Sequence, residues 1–141
     1  VQALKMAQLA HDGYARATGK VAVVTAQNGP AATLLVPGLA ECLSASIPVV
    51  ALVQDVGPAT MDRNAFQELD QLELFKGVSK WTRRVTTAER IEDYIDMAFT
   101  VAASGRPGPV VLIGARPGAL RTAASSFWVA CVSRALGAGP G

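Results

Sequence analysis

The fold is decided by the run Val21-Ala22-Val23-Val24-Thr25-Ala26-Gln27-Asn28-Gly29-Pro30-Ala31-Ala32-Thr33. Its β-branched beginning predicts a buried strand over residues 20–25. Pro30 has the fixed φ and the missing N–H that suit a first helical turn, so we expect a helix to begin there and continue through the apolar stretch 31–43, with a kink at Pro37. A strand, a tight turn and a helix start in close succession are typical of the ligand-binding edge of an open α/β sheet.

Strand and helix patterns alternate along the rest of the chain. The clearest helical pattern, residues 87–104, opens with a capping box between Thr86 and Glu89 and has one apolar stripe within residues 91–102. The alternation predicts a doubly wound parallel α/β sheet with helices on both faces. The predicted strands are residues 20–25, 47–54, 80–85 and 110–113, and the predicted helices are residues 1–18 (capped by Gly19), 30–43, 66–75 and 87–104.

The composition narrows the class of protein. With 141 residues, 50% hydrophobic and 17% charged, the chain can form one domain with a real core. Two cysteines and one histidine cannot assemble a Cys/His metal cluster, so no metal site is predicted. A net charge of +2 and the lack of a long apolar segment predict neither a nucleic-acid nor a membrane partner, and favour a cytoplasmic setting. No Gly-x-Gly-x-x-Gly or Gly-x-Ser-x-Gly run is present, which argues against a nicotinamide site and a hydrolase triad.

Six short motifs follow one another along the chain: Asp12-Gly13-Tyr14-Ala15-Arg16-Ala17-Thr18-Gly19-Lys20, Gly29-Pro30, Ser46-Ile47-Pro48-Val49-Val50, Ala65-Phe66-Gln67-Glu68, Lys80, and Gly105-Arg106-Pro107-Gly108-Pro109-Val110. In order and spacing they resemble the N-terminal pyrimidine-binding domain of thiamine-diphosphate enzymes, most closely the acetolactate synthase group. The resemblance covers residues 14–112. It implies a thiamine-diphosphate-binding fold in truncated form.

The resemblance also implies the site residues. Asn28, Gly29, Pro30 and Thr33 would contact the aminopyrimidine ring of thiamine diphosphate, since Gly29 lets the main chain approach closely and Pro30 stiffens the turn. Two further residues would lie near the reacting centre: Phe66, and Gln67, whose amide would act in catalysis by donating to an enolate or carboxylate oxygen.

An assembly and a substrate class are implied in the same way. The diphosphate of the cofactor would be held through Mg²⁺ by a separate domain of a partner subunit, so that active sites lie between subunits of a homodimer or homotetramer. The substrate would be a small 2-oxo acid. The isolated chain would be inactive because half of each site is missing, and this domain does not determine whether FAD is also needed.

One position departs from the family pattern. In the family a Glu that bonds the pyrimidine nitrogen stands nine residues before the Gly of the Gly-Tyr-Ala-Arg motif; counting back nine residues from Gly13 reaches Leu4. Leucine cannot hold or pass a proton, so this role is empty. Either the true N-terminal segment has been lost or altered, or the lineage works without the acid.

The end of the chain has a different composition. Residues 114–141 contain no Asp, Glu or Lys and show no helical or strand period. We therefore divide the chain into residues 1–113, a pyrimidine-binding α/β domain lacking its N-terminal part, and residues 114–141, an atypical tail that is either disordered or read out of frame.

Three hypotheses for the function follow. The first is a fragment of an enzyme that decarboxylates and ligates 2-oxo acids in the manner of acetolactate synthase. The second is an acyltransferase or decarboxylase of the same family, since Gln27-Asn28 resembles the sulfoacetaldehyde acetyltransferase branch. The third is a non-catalytic α/β binding or assembly module, which the Leu at position 4 favours.

Overall fold

Four parallel strands form the centre of the computed structural model, which describes residues 13–15, 17–57 and 59–115. The order across the sheet is β1-β2-β4-β3, so β2 and β4 are flanked on both sides. Val50 of β2 aligns with Val23 of β1 and with Val110 of β4, and all three pairings are parallel. The strands are β1 (Ala22–Ala26), β2 (Val49–Asp55), β3 (Trp81–Val85) and β4 (Pro109–Ala115).

Helices cover both faces of this sheet, which confirms the predicted fold class. On one face the buried side chains of α1, α2 and α3 pack against alternate strand residues such as Val49, Ala51 and Val53. On the other face α4 packs against Val50 and Leu52. The alternation follows from the two-residue period of a strand, which sends successive side chains to opposite faces. The helices are α1 (Pro30–Thr33), α2 (Val36–Ser44), α3 (Gln71–Lys76) and α4 (Ile91–Ala103).

The predicted kink at Pro37 is a break between two helices. α1 ends at Thr33, and Pro37 lies in the first turn of α2. A proline in a helix interior lacks the N–H for the i−4 carbonyl and its ring collides with that carbonyl, whereas in a first turn neither matters. The chain therefore restarts its helix, with Leu39 N–H donating to Leu35 O at 2.9 Å.

The predicted helix over residues 66–75 was wrong in its first half. α3 begins only after Asp70, whose Oδ1 accepts from Glu73 N–H at 3.2 Å as an N-terminal cap. Upstream of it, Glu68 N–H donates to Ala65 O at 3.0 Å and closes a tight turn. Gln67 in that turn has a φ of +62°, which no right-handed helix contains.

The predicted capping box at Thr86 and Glu89 was also wrong. A short 3₁₀ helix, Ala88–Arg90, precedes α4, and Arg90 stands at the N-cap without a side-chain capping hydrogen bond. The predicted apolar stripe is confirmed, because four of its residues are buried against the sheet and Phe99 is partly buried there. The four are Ile91, Ile95, Ala98 and Ala102.

The ends of the domain agree with the predicted pattern as far as the structure describes them. Residues 13–15 and 17–18 are helical, and Gly19, with a φ of +67°, donates its N–H to Ala15 O at 2.9 Å as the expected cap. β4 continues to Ala115, two residues beyond its predicted end. Leu4 and residues 116–141 lie outside the described residues, so the division at residue 113 stays a prediction.

Candidate functional site

The turn after β1 lies at the carboxyl edge of the sheet. Asn28 and Gly29 are buried, whereas Pro30 and Thr33, the first and last residues of α1, are exposed. Gly29 has a φ of +65° and a ψ of −126°, a backbone conformation that residues with a Cβ rarely adopt. The Thr33 hydroxyl donates to Pro30 O at 2.7 Å, so its proton is used inside α1. The predicted cofactor turn is thus a sharp bend that only glycine suits.

The loop of residues 62–68 covers this turn. A Cβ built on Gly29 would lie 2.7 Å from the Gln67 Cβ and 2.9 Å from the Gln67 carbonyl oxygen, far inside van der Waals contact. The Asn28 side chain donates from Nδ2 to the same carbonyl oxygen at 3.4 Å, across 39 positions of sequence. Two of the predicted site motifs are therefore in direct contact.

The side chains of Phe66 and Gln67 are presented at the tip of a turn. The turn is closed by Glu68 N–H donating to Ala65 O, which places Phe66 and Gln67 at its two central positions. The Phe66 ring is 86% exposed, although a phenylalanine is usually buried. The Phe66 ring is thus exposed at the tip of the turn, whereas Gln67 is half-buried and packs on Gly29.

Glu68 was part of the motif, but its role was missed by the sequence analysis. Its Oε1 accepts from Asp62 N–H at 2.5 Å and its Oε2 from Ala65 N–H at 2.8 Å. These backbone donors, Ala65 first and Asp62 second, lower the pKa of the Glu68 carboxyl below its ordinary value because they stabilise the ionised form. The signal in the sequence was a Glu within a Gly-free loop, a pattern too common to be specific.

A cavity of about 700 Å³ is lined in part by residues of this loop. Its wall includes the ion pair between Arg84 Nε and Asp55 Oδ2, which are 2.9 Å apart. Asp55 is buried at the end of β2, and its Oδ1 also accepts from Val56 N–H at 2.9 Å. Asn28, Gly29 and Pro30 do not line this cavity. The remaining lining residues are Met61, Asp62, Asn64, Glu68, Leu69, Asp70, Leu72 and Glu73.

Two other residues of the six motifs lie at the opposite, amino edge of the sheet. Lys80 Nζ donates to Val101 O at 2.5 Å and Ser104 O at 2.8 Å, which caps the end of α4. Arg106 donates to the Leu43 and Ser44 carbonyls at the end of α2. Cations at a helix C-terminus complement its dipole and its unpaired carbonyls. These motifs therefore have a structural role within the described chain.

The contact between the turn and the loop lies within the stretch that matches a known family. Residues 2–74, just over half of the chain, match the family model "Thiamine pyrophosphate enzyme, N-terminal TPP binding domain". The chain belongs to the thiamine pyrophosphate enzyme family. Thiamine pyrophosphate is thiamine diphosphate under its other name, so the predicted family and its cofactor class are confirmed.

The chain is also similar to acetolactate synthases from several organisms. It is 46% identical over 106 residues to the acetolactate synthase isozyme 2 large subunit of Escherichia coli K12. The matched stretch covers 75% of this chain and 19% of that protein. It is 42% identical over 101 residues to the probable acetolactate synthase large subunit of Methanocaldococcus jannaschii (72% and 17%). For the chloroplastic acetolactate synthase of Arabidopsis thaliana the identity is 42% over 103 residues (73% and 15%). The chain thus spans less than a fifth of the length of each.

Within this thiamine pyrophosphate enzyme domain, Gln67 fills the space beside Gly29, while the Pro30 ring is exposed at the carboxyl edge of the sheet. In an open α/β sheet, ligands bind at this edge. A carboxyl group can carry a proton to or from a cofactor, and the loop that contacts the turn contains that of Glu68. Glu68 is held ionised by two backbone amides and does not fit that role near neutral pH.

Among the described residues, no group of three or more His, Cys, Asp or Glu side chains is arranged to hold a metal ion. In the same part of the chain, no helix combines the length and apolarity needed to span a bilayer.

Proposed function

We propose that this chain supplies the pyrimidine-binding half of the active site of an acetolactate synthase-like enzyme that decarboxylates and ligates 2-oxo acids. In this proposal the diphosphate and Mg²⁺ are held by another domain of a partner subunit, in a homodimer or homotetramer. The observation that supports it most is the packing of Gln67 on Gly29, with a Cβ–Cβ distance of 2.7 Å if Gly29 carried a Cβ. That contact joins the cofactor turn and the substrate loop into one surface.

Each residue of this surface has a definite part in the proposal. Thiamine diphosphate, when bound, supplies the nucleophilic thiazolium carbon and the electron sink for decarboxylation. The main chain at Asn28 and Gly29 and the ring of Pro30 orient the aminopyrimidine, and Thr33 offers its hydroxyl oxygen as an acceptor. The Gln67 amide donates to a developing oxyanion, and the exposed Phe66 ring excludes water from it.

The proposed enzyme lacks the acidic side chain that would carry a proton to and from the cofactor. Leu4 stands where the family resemblance requires an acid, and an aliphatic side chain cannot exchange a proton. The enzyme built from this sequence is therefore expected to bind its cofactor but to activate it poorly.

A chimaera tests the proposal directly. The segment of the E. coli relative that matches this chain is replaced by this chain's residues, and acetolactate formation is measured. Leu4→Glu in the chimaera should raise kcat by about 100-fold or more, the usual contribution of a general acid or base. Leu9→Glu, in the same predicted helix, is the matched control and should give no increase. Equal activity of the two variants would contradict the proposed site.

Calorimetry of the isolated chain tests the split site. Titration with thiamine diphosphate and Mg²⁺ should give little or no heat at micromolar concentrations, because the diphosphate half of the site is missing. A submicromolar dissociation constant would contradict the shared site.

A non-catalytic binding or assembly module is the second candidate, and the observation that favours it is Leu4. This second candidate predicts that the chimaera folds and assembles but stays inactive with either Leu4→Glu or Leu9→Glu. An acyltransferase or decarboxylase of the same family predicts product from sulfoacetaldehyde, or aldehyde without ligation, in the same assay.

A further inference from the structure

The loop over the cofactor turn has an unusual backbone. Asp62, Asn64 and Gln67 have φ values of +62°, +54° and +62°, and none of them is glycine. Left-handed conformations are unfavourable for residues with a Cβ, although Asn and Asp tolerate them best. Three such residues within six positions persist only if surrounding contacts hold them.

Glu68 provides those contacts. Its two carboxylate oxygens accept from the backbone N–H groups of Asp62 and Ala65, on the two sides of Asn64. Its own N–H donates to Ala65 O at 3.0 Å. The Glu68 side chain thus ties the first residue and the middle residue of the loop to its last residue. Hydrogen bonds from N–H groups to a carboxylate are stronger than those to a neutral acceptor.

The closed loop determines where Gln67 lies. Gln67 directly precedes the residue that closes the turn, and its carbonyl oxygen is the acceptor for Asn28 Nδ2. Its Cα and Cβ lie over Gly29 without room for another atom. A change in the loop therefore moves Gln67 relative to the turn.

We propose that Glu68 is a positioning residue, which holds Phe66 and Gln67 on the Gly29 turn through its two hydrogen bonds to the loop backbone. Its importance for catalysis rests on the proposed function, but the coupling between Glu68 and the turn does not. Glutamine is a poor replacement, because its amide offers one acceptor oxygen and turns an NH₂ toward the second backbone N–H.

Other charged groups share the cavity wall with Glu68. Arg84 is paired with Asp55, Glu73 with Lys76, and Asp70 accepts from the Glu73 amide as the cap of α3. Asp62 is the only other carboxyl within the loop itself. Glu73→Gln is therefore a suitable control, since it removes a nearby carboxylate that does not touch the loop backbone.

Nuclear magnetic resonance of the ¹⁵N,¹³C-labelled chain without cofactor tests the proposal. In the wild type we expect a nuclear Overhauser contact between Gly29 Hα and Gln67 Hβ. Glu68→Gln should reduce its intensity at neutral pH by more than half, while contacts between β2 and β4 stay unchanged. Glu73→Gln should leave it as it is. An unchanged Gly29–Gln67 contact in Glu68→Gln would overturn the proposal.

A pH titration of the wild-type chain gives a second readout that a merely structural side chain would not produce. The amide signals of Asp62 and Ala65 should shift with one midpoint below pH 4.5, the ordinary value for this carboxyl. The Asn28 side-chain amide should titrate with the same midpoint, although it does not touch Glu68. A different midpoint for Asn28, or none while the β2 signals show a folded chain, would overturn the coupling. Because no cofactor is present, either result leaves the proposed function to its own test.

Discussion

Gln67 packs on Gly29 at the carboxyl edge of the sheet, so close that a Cβ on Gly29 would lie 2.7 Å from that of Gln67. The two residues belong to different sequence motifs. Their contact makes the turn after β1 and the loop before α3 a single structural unit, and the proposed cofactor surface depends on it.

Gly29→Ala should be strongly destabilising. The variant needs a backbone conformation suited to glycine and a Cβ where Gln67 already lies, so we expect a loss of about 3 kcal/mol or more in the free energy of unfolding. Urea unfolding followed by circular dichroism measures it. Gly77→Ala is the control, since Gly77 has a φ of −85° and open space around it. Losses of equal size in both variants would show that Gln67 does not restrict position 29.

Glu68→Gln should lower stability in a pH-dependent way. The pKa of Glu68 is lowered in the folded chain by the Ala65 and Asp62 amides, so its stabilising contribution is complete above the ordinary value of 4.5 and is lost as the pH falls through the lowered value. Urea midpoints of the wild type and the variant should therefore differ at pH 7 and converge at acidic pH. A difference that grows with acidity would have the wrong sign for this account.

Lys80→Met should cost about 1 kcal/mol, because the ammonium group no longer satisfies two carbonyls at the end of α4 while the methionine keeps most of the apolar stem. Thermal unfolding measures the loss. Lys76→Met is the matched control: Lys76 pairs only with the exposed Glu73 in the described structure, and its loss should cost about 0.5 kcal/mol or less. If Lys80→Met unfolds like the wild type, the capping role is wrong.

Asp55→Asn should cost about 2 kcal/mol, because it leaves the partly buried Arg84 beside a neutral group. A double-mutant cycle with Arg84→Met separates the pair from its surroundings. We expect a coupling energy of about 1 kcal/mol or more between these residues, which are 2.9 Å apart. A coupling near zero would mean that each side chain acts by itself.

The order of elements could be predicted from local sequence. The β-branched runs and the apolar stripe of α4 are patterns that a single segment displays, and Pro30 favours a helix start through its own fixed φ. The errors arose where one residue decides a boundary. Asp70 caps the start of α3 several residues after Phe66, and Pro37 lies in the first turn of α2 instead of bending a longer helix.

The site could be predicted only in part, for a different physical reason. The resemblance singled out Gly29 and Gln67 separately, but no periodicity indicates that positions so far apart in sequence touch. The loop also depends on left-handed φ values at residues other than glycine, and on the two backbone hydrogen bonds of Glu68. Such contacts exist only in the folded chain, as do the caps formed by Lys80 and Arg106.

The central claim is that the Gly29 turn and the Gln67 loop together bind the aminopyrimidine ring. The most direct test is an amide spectrum of the ¹⁵N-labelled chain during titration with millimolar thiamine diphosphate and Mg²⁺. The account predicts weak, saturable shifts at Gly29, Ala31 and Gln67. Shifts confined to the opposite edge around Ser46 and Arg106, or none at Gly29 and Gln67, would contradict it.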